Sequence, residues 1–194
     1  MKKSILLFTT CTIISILSAN AQTKKITKKN IKKEIKKEST KEVTKEVIKE
    51  DLFWHTNVFK ADSISKKTHK PIFAFFTGSD WCGWCHKLER DVFAKQEFIK
   101  WASEKVVLLE LDYPRKKQLP VELQQQNAGL QQAFQVQGYP TIWLFYVVKD
   151  TITNNVKLNA LGSLGYPSNS VVGKEEVSFL ETANSILAKG NEGK

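Results

Sequence analysis

Residues 72–86 read IFAFFTGSDWCGWCH, and this stretch decides the fold. Ile72, Phe73, Ala74, Phe75 and Phe76 form an apolar run closed by Thr77. A run of strand length without polar alternation fits the middle of a sheet covered on both faces. Gly78, Ser79 and Asp80 break the strand. Trp81-Cys82-Gly83-Trp84-Cys85-His86 then opens a helical pattern that extends to about residue 103, with Leu88, Val92 or Phe93, and Phe98 as buried candidates. Two cysteines at i,i+3 face each other over one helical turn. The first lies at the helix N-terminus, where unpaired N–H groups and the positive dipole end stabilise a thiolate. The second lies one turn inward and is better shielded. That placement suits dithiol–disulfide exchange, with Cys82 attacking a partner and Cys85 resolving the mixed disulfide.

The surrounding pattern extends the reading. Upstream, residues 58–69 form a short amphipathic helix led by Trp54 and Phe59 and stopped by Pro71. Downstream, 105–112 (KVVLLELD) is a second buried strand, 119–134 a Gln-rich helix, and 141–148 (TIWLFYVV) a third strand. Asn154-Asn155 marks a turn into a fourth strand over 156–161. Residues 175–189 read as a closing helix, with Gly190 as its stop. This order implies an α/β fold: a parallel βαβ unit followed by a hairpin, with helices on both faces of the sheet.

The chain has 194 residues and a formal net charge of +10. A basic balance of that size first suggests nucleic acid or an anionic membrane. The distribution argues otherwise. Residues 1–21 carry Lys2 and Lys3, then an apolar run, then Ala19-Asn20-Ala21, the layout of a secretory signal peptide. Cys11 would leave with that leader, so the mature chain keeps two of the three cysteines, in an oxidising, exported compartment. Residues 22–50 are a Lys/Glu-rich spacer whose 11 Lys and 5 Glu leave +6. Its apolar marks Ile31, Ile35, Val43 and Val47 recur near every fourth residue, a period that winds around a helix instead of lining one face. The spacer therefore reads as solvated and without its own core, with docking to anionic lipid as the weaker reading. Residues 51–194, the folded domain, keep 17 basic and 15 acidic residues, a net of +2. That is too little to support a nucleic-acid partner.

With these motifs placed, the sequence resembles the thioredoxin superfamily over roughly residues 53–187. The likeness rests on the strand–loop–WCGWC–helix run, on Gly138-Tyr139-Pro140-Thr141 leading into a strand, and on the element order. The run GSDWCGWCHKLERDVF looks most like exported thioredoxin-like proteins of the Bacteroidetes type. The resemblance implies a thioredoxin-like fold with a mixed sheet of four to five strands and a cis Tyr139–Pro140 bond beside the cysteines. It also implies that the Tyr139 backbone pairs with a partner peptide. Trp81, Gly83 and Trp84 join Tyr139 and Pro140 as substrate-binding candidates. One departure matters. The family carries a buried Asp six residues before the first cysteine, where this chain has Phe76. Deprotonation of Cys85 then needs water, His86 or Glu89. The Gly-Trp pair between the cysteines leaves the redox direction open, since potentials in this superfamily span roughly 150 mV.

Other readings of the same residues stand beside this one. Cys82-Gly83-Trp84-Cys85-His86 also satisfies the C-x-x-C-H pattern of c-type haem attachment. Its weak point is a distal ligand, because the one Met is Met1 and only His55 and His69 are left. No second ligand pair has zinc spacing, so no metal site is expected. A third reading is a non-catalytic peptide-binding module with a structural disulfide. Trp54, Trp101 and Trp143 are read as core. The expected activity is that of a periplasmic thiol–disulfide oxidoreductase using no cofactor beyond its own dithiol. Its expected partners are exported proteins with thiols or disulfides, plus a membrane electron-transfer protein if it works as a reductant.

Overall fold

The computed structural model describes residues 52–149 and 155–192. The leader, the spacer and part of the expected turn at Asn154-Asn155 lie outside the described residues. In chain order the elements are α1 (Val58–Thr68), β1 (Ile72–Thr77), α2 (Gly83–Leu88), a π-turn (Glu89–Phe93), α3 (Gln96–Lys105), β2 (Val107–Asp112), α4 (Val121–Ala133), β3 (Thr141–Lys149), β4 (Val156–Leu164) and α5 (Glu175–Glu192).

The four strands form one mixed sheet in the order β2-β1-β3-β4. β1 pairs parallel to β2 and antiparallel to β3, and β3 pairs antiparallel to β4. Every residue of β1 is buried, as its unbroken apolar run requires. Alternate side chains enter two separate clusters. Phe73 and Phe75 meet Leu88, Val92, Phe93, Phe98, Trp101 and Phe179 on one face. Ile72, Ala74 and Phe76 meet Ala61, Leu130 and Phe134 on the other. Helices therefore cover both faces. Full burial of each such Phe, Leu, Ile or Val side chain stabilises the fold by roughly 1.5–3 kcal/mol.

Several boundaries differ from the sequence reading, for physical reasons. The helix expected from Cys82 to about residue 103 is interrupted by the π-turn, in which Ala94 N–H donates to Glu89 O at 2.8 Å. No Gly or Pro marks the break. The turn lets the consecutive Val92 and Phe93 both enter the core, where Phe93 stacks on Phe98 at 4.6 Å and meets Phe75 edge-on at 5.0 Å. Tertiary packing thus selects a conformation that local propensity does not show. Helix α3 runs through Lys105, so the second strand starts at Val107 instead of residue 105. Gly190 does not stop the last helix, which continues to Glu192. A Cβ at that glycine would lie 2.8 Å from Leu161, so the residue serves close packing of helix on strand. Phe59 does not lead the core face of α1, because its side chain is exposed. Trp101 is buried, and Trp54 and Trp143 pack, partly buried, against the two clusters.

Candidate active site

The parallel register of β1 and β2 places Thr77 opposite Asp112 and brings both strand ends to one edge. The turn that leaves β1 there carries the cysteines. Gly78 O accepts from Trp81 N–H at 3.1 Å and Cys82 N–H at 2.8 Å, which closes the turn. A side chain at Gly78 could not fit, since its Cβ would sit 2.4 Å from the Trp81 indole. Asp112 latches the turn to β2. It accepts from Ser79 N–H at 2.8 Å, Ser79 Oγ at 2.7 Å and Lys117 Nζ at 2.8 Å.

Cys82 caps α2 and is joined to Cys85 by a disulfide with Cα atoms 5.3 Å apart. Cys85 N–H donates to Cys82 Sγ at 3.2 Å. Both cysteines are buried, Cys82 at 5% exposure and Cys85 at 0%.

Of the substrate-binding candidates, Trp81 and Tyr139 pack against the cluster that holds both cysteines. The Tyr139–Pro140 bond is cis. Tyr139 packs edge-on against Trp81 at 5.8 Å and tilted against Tyr113 at 5.1 Å. Trp81 Nε1 donates to Tyr113 O at 2.8 Å. Gly83 is exposed, and Trp84 stands 58% exposed. Trp84 rests edge-on against Tyr166 at 5.3 Å, a residue the sequence reading missed. Tyr166 is fixed from α2 and the π-turn, donating to Asp91 at 2.9 Å and bonding Lys87. It lies in a loop far along the chain, and nothing in its local sequence announces the contact.

Phe76, in the position of the family's buried Asp, points away from this edge into the opposite core, stacked over Tyr113. The acids on the cysteine side come from elsewhere. Glu89 lies one turn after Cys85, and its backbone N–H donates to Cys85 O. Burial pushes the half-buried Glu89 carboxyl above its ordinary value, His86 opposes that, and the Asp112 charge adds to it. Glu110 is pushed up by burial and then by Asp112 and Glu89, with Lys117 opposing. Burial also works against the Asp112 charge, but donors from Lys117 and Ser79 overcome it and hold Asp112 below the usual range. One carboxylate of the three is thus held anionic, and its field favours protonation of the other two.

His86 is exposed, and its Nε2 bonds Ser79 O at 2.8 Å. In this structure the Cys82 and Cys85 sulfurs bond each other, and His86 Nε2 is engaged by Ser79 O. Among the described residues, no group of three or more His, Cys, Asp or Glu side chains gathers in a way that could hold a metal ion.

Comparison with known proteins agrees with this geometry. Residues 58–147 match the model of the thioredoxin-like domain. The chain is 41% identical over 78 residues to the disulfide bond reductase DsbH of Chlamydia pneumoniae, covering 40% of this chain and 47% of that protein. It is 28% identical over 140 residues to the thioredoxin-related protein DsbJ of the same organism, covering 72% of this chain and 38% of the other. The chain spans less than half the length of these curated relatives. Among solved structures, the DsbH oxidoreductase superposes with a TM-score of 0.61 at 25% identity, covering 79% of this chain and 98% of that one. A thioredoxin from Thermus thermophilus superposes with a TM-score of 0.50 at 14% identity, over 72% of this chain and 89% of that one, and shows the fold alone.

Proposed function

We propose that this chain, whose residues 58–147 match the thioredoxin-like domain, reduces disulfides of exported proteins through Cys82 and Cys85. The observation that carries the proposal is the pair itself, a Cys82–Cys85 disulfide at the N-cap of α2 with the Cys85 N–H donating to Cys82 Sγ at 3.2 Å. In the reduced state that donor stabilises a Cys82 thiolate. The thiolate attacks one sulfur of a partner disulfide, and the other partner sulfur leaves as a thiolate. Cys85 then loses its proton and attacks Cys82 Sγ. This re-forms the Cys82–Cys85 bond and releases the second partner sulfur. Two electrons pass from the dithiol to the partner, and a membrane electron carrier returns them.

Glu89 takes the Cys85 proton. It lies one turn away, and burial raises its carboxyl above the ordinary glutamate range, which makes it a stronger base than an exposed glutamate. His86, engaged with Ser79 O, helps hold the turn. The partly buried turn at Tyr139 and cis Pro140 receives the partner backbone, and Trp81, Gly83 and Trp84 frame it. The reductive direction follows the likeness to a protein named a disulfide bond reductase. The leader reading places the activity in the periplasm.

The test is a trap. Cys85→Ser incubated with an exported-protein extract accumulates partners linked to Cys82, released by dithiothreitol, and Cys82→Ser accumulates none. Wild-type protein catalyses insulin reduction by dithiothreitol. Absence of both adducts and turnover would identify a binding module with a structural disulfide instead.

A further inference from the structure

Beside Trp81 the chain builds a basic cleft that the dithiol chemistry does not use. Residues 113–120, YPRKKQLP, run from the end of β2 to the start of α4. Three anchors fix this loop to the active-site turn. Trp81 Nε1 bonds Tyr113 O at 2.8 Å. The Asp80 carboxylate accepts Arg115 N–H at 3.0 Å and Lys116 N–H at 2.7 Å. The Arg115 guanidinium lies 3.8 Å over the Trp81 ring. Between the loop and α4 opens a cleft of about 540 Å³ whose lining includes Tyr113, Pro114, Leu119, Asn127 and Gln131.

Cations dominate the rim of this cleft. Arg115, Lys116 and Lys117 are exposed there. Two acids lie beside them. Asp80 is occupied by backbone N–H groups, although its charge also acts on Lys116. Asp112 is buried and bonded to Ser79 and Lys117. Arg115 and Lys116 are therefore the cations presented outward. Stacking on Trp81 also holds the Arg115 fork in place, so an anion meeting it costs little further side-chain ordering. The cleft adjoins the dithiol, because Trp81 precedes Cys82 and Tyr113 packs on Tyr139.

We propose that this cleft seats an acidic stretch of the partner protein next to its reactive cysteine, with carboxylates on Arg115 and Lys116. This deepens the oxidoreductase reading above and rests on it. Such a rim raises the rate of productive encounter with acidic partners more than it tightens the complex, and its effect fades with salt.

The experiment uses the full chain, reduced, and three disulfide-linked peptides that differ only in two residues flanking the cysteine: Asp, Ser or Lys. Stopped flow gives the second-order rate constant for mixed-disulfide formation. The Asp/Ser ratio is about threefold to tenfold at low salt, the size expected of two exposed charge contacts. It falls toward one in about 0.5 M salt. Lys116→Glu and Arg115→Gln each lower the ratio about threefold or more, and Lys116→Glu also speeds the Lys peptide. Lys100→Gln, which removes a charge from α3, leaves the ratio as it was. A wild-type ratio near one overturns the proposal. So does a ratio unchanged in both rim variants, which would assign any preference to the Lys-rich residues 22–50. Failure to react with any of the three peptides overturns the dithiol reading itself.

Discussion

Asp112→Asn tests how the active-site turn is held. The carboxylate takes two donors from Ser79 and one from Lys117, at 2.7–2.8 Å, and is 8% exposed. A hydrogen bond to a charged group contributes about 1.5–3 kcal/mol when well shielded. Ser79 is only partly buried, which reduces each of its bonds to about 1 kcal/mol. The Lys117 side chain is 57% exposed, so that ion pair adds about 0.5 kcal/mol. Asparagine keeps the shape, one acceptor and no charge. The expected loss is about 2 kcal/mol, or a urea midpoint about 1 M lower by tryptophan fluorescence with the disulfide intact. The pH dependence has a definite sign. Asp112 is held below its ordinary value in the folded protein. Its contribution is therefore full above the unfolded carboxylate pKa of about 3.9 and disappears as pH falls through the lower folded value. The gap between wild type and variant should be full at pH 7 and close in acid. A midpoint within about 0.2 M of wild type at pH 7 would refute the latch. A gap equally wide after the carboxylate has protonated would refute its electrostatic basis.

Other consequences follow from the same geometry. Glu89→Gln should slow resolution of a trapped mixed disulfide by about tenfold to a hundredfold near neutral pH and remove the rise in rate that accompanies Glu89 ionisation, which lies above the ordinary glutamate range. Quenched-flow mass spectrometry reads this step, and an unchanged pH profile would assign the proton to water. Burial raises Glu89 most and the Asp112 charge adds a smaller part, so Asp112→Asn should move that rise slightly to lower pH. Gly78→Ala must displace the Trp81 indole. It should cost about 1–3 kcal/mol in a denaturation curve and shift tryptophan emission, whereas a wild-type spectrum and midpoint would show that the turn tolerates a side chain.

Much of this architecture was legible in the chain. The unbroken apolar run at Ile72–Thr77 required a strand covered on both faces, and the structure buries all six residues. The CxxC spacing placed one sulfur at the helix cap and one behind it. The GYPT turn marked the cis proline through its resemblance. What stayed hidden depends on register and packing. Asp112 reaches Ser79 because Thr77 pairs with Asp112, and no local pattern fixes that pairing. A hint was present, since a charged residue closing an apolar parallel strand lies at the edge where α/β proteins place their sites. The π-turn at Glu89–Phe93 answers to the aromatic cluster, not to any residue within it. Tyr166 reaches Trp84 only because the loop after β4 folds back over α2.

The most direct test of the central claim is the equilibrium reduction potential of the Cys82–Cys85 pair against a defined thiol buffer, read by the mass of alkylated protein. A reducing exchange catalyst should lie near −270 mV. A value near −120 mV would make the pair an oxidant and contradict the direction. A value well below about −300 mV would make the disulfide structural and contradict the activity itself.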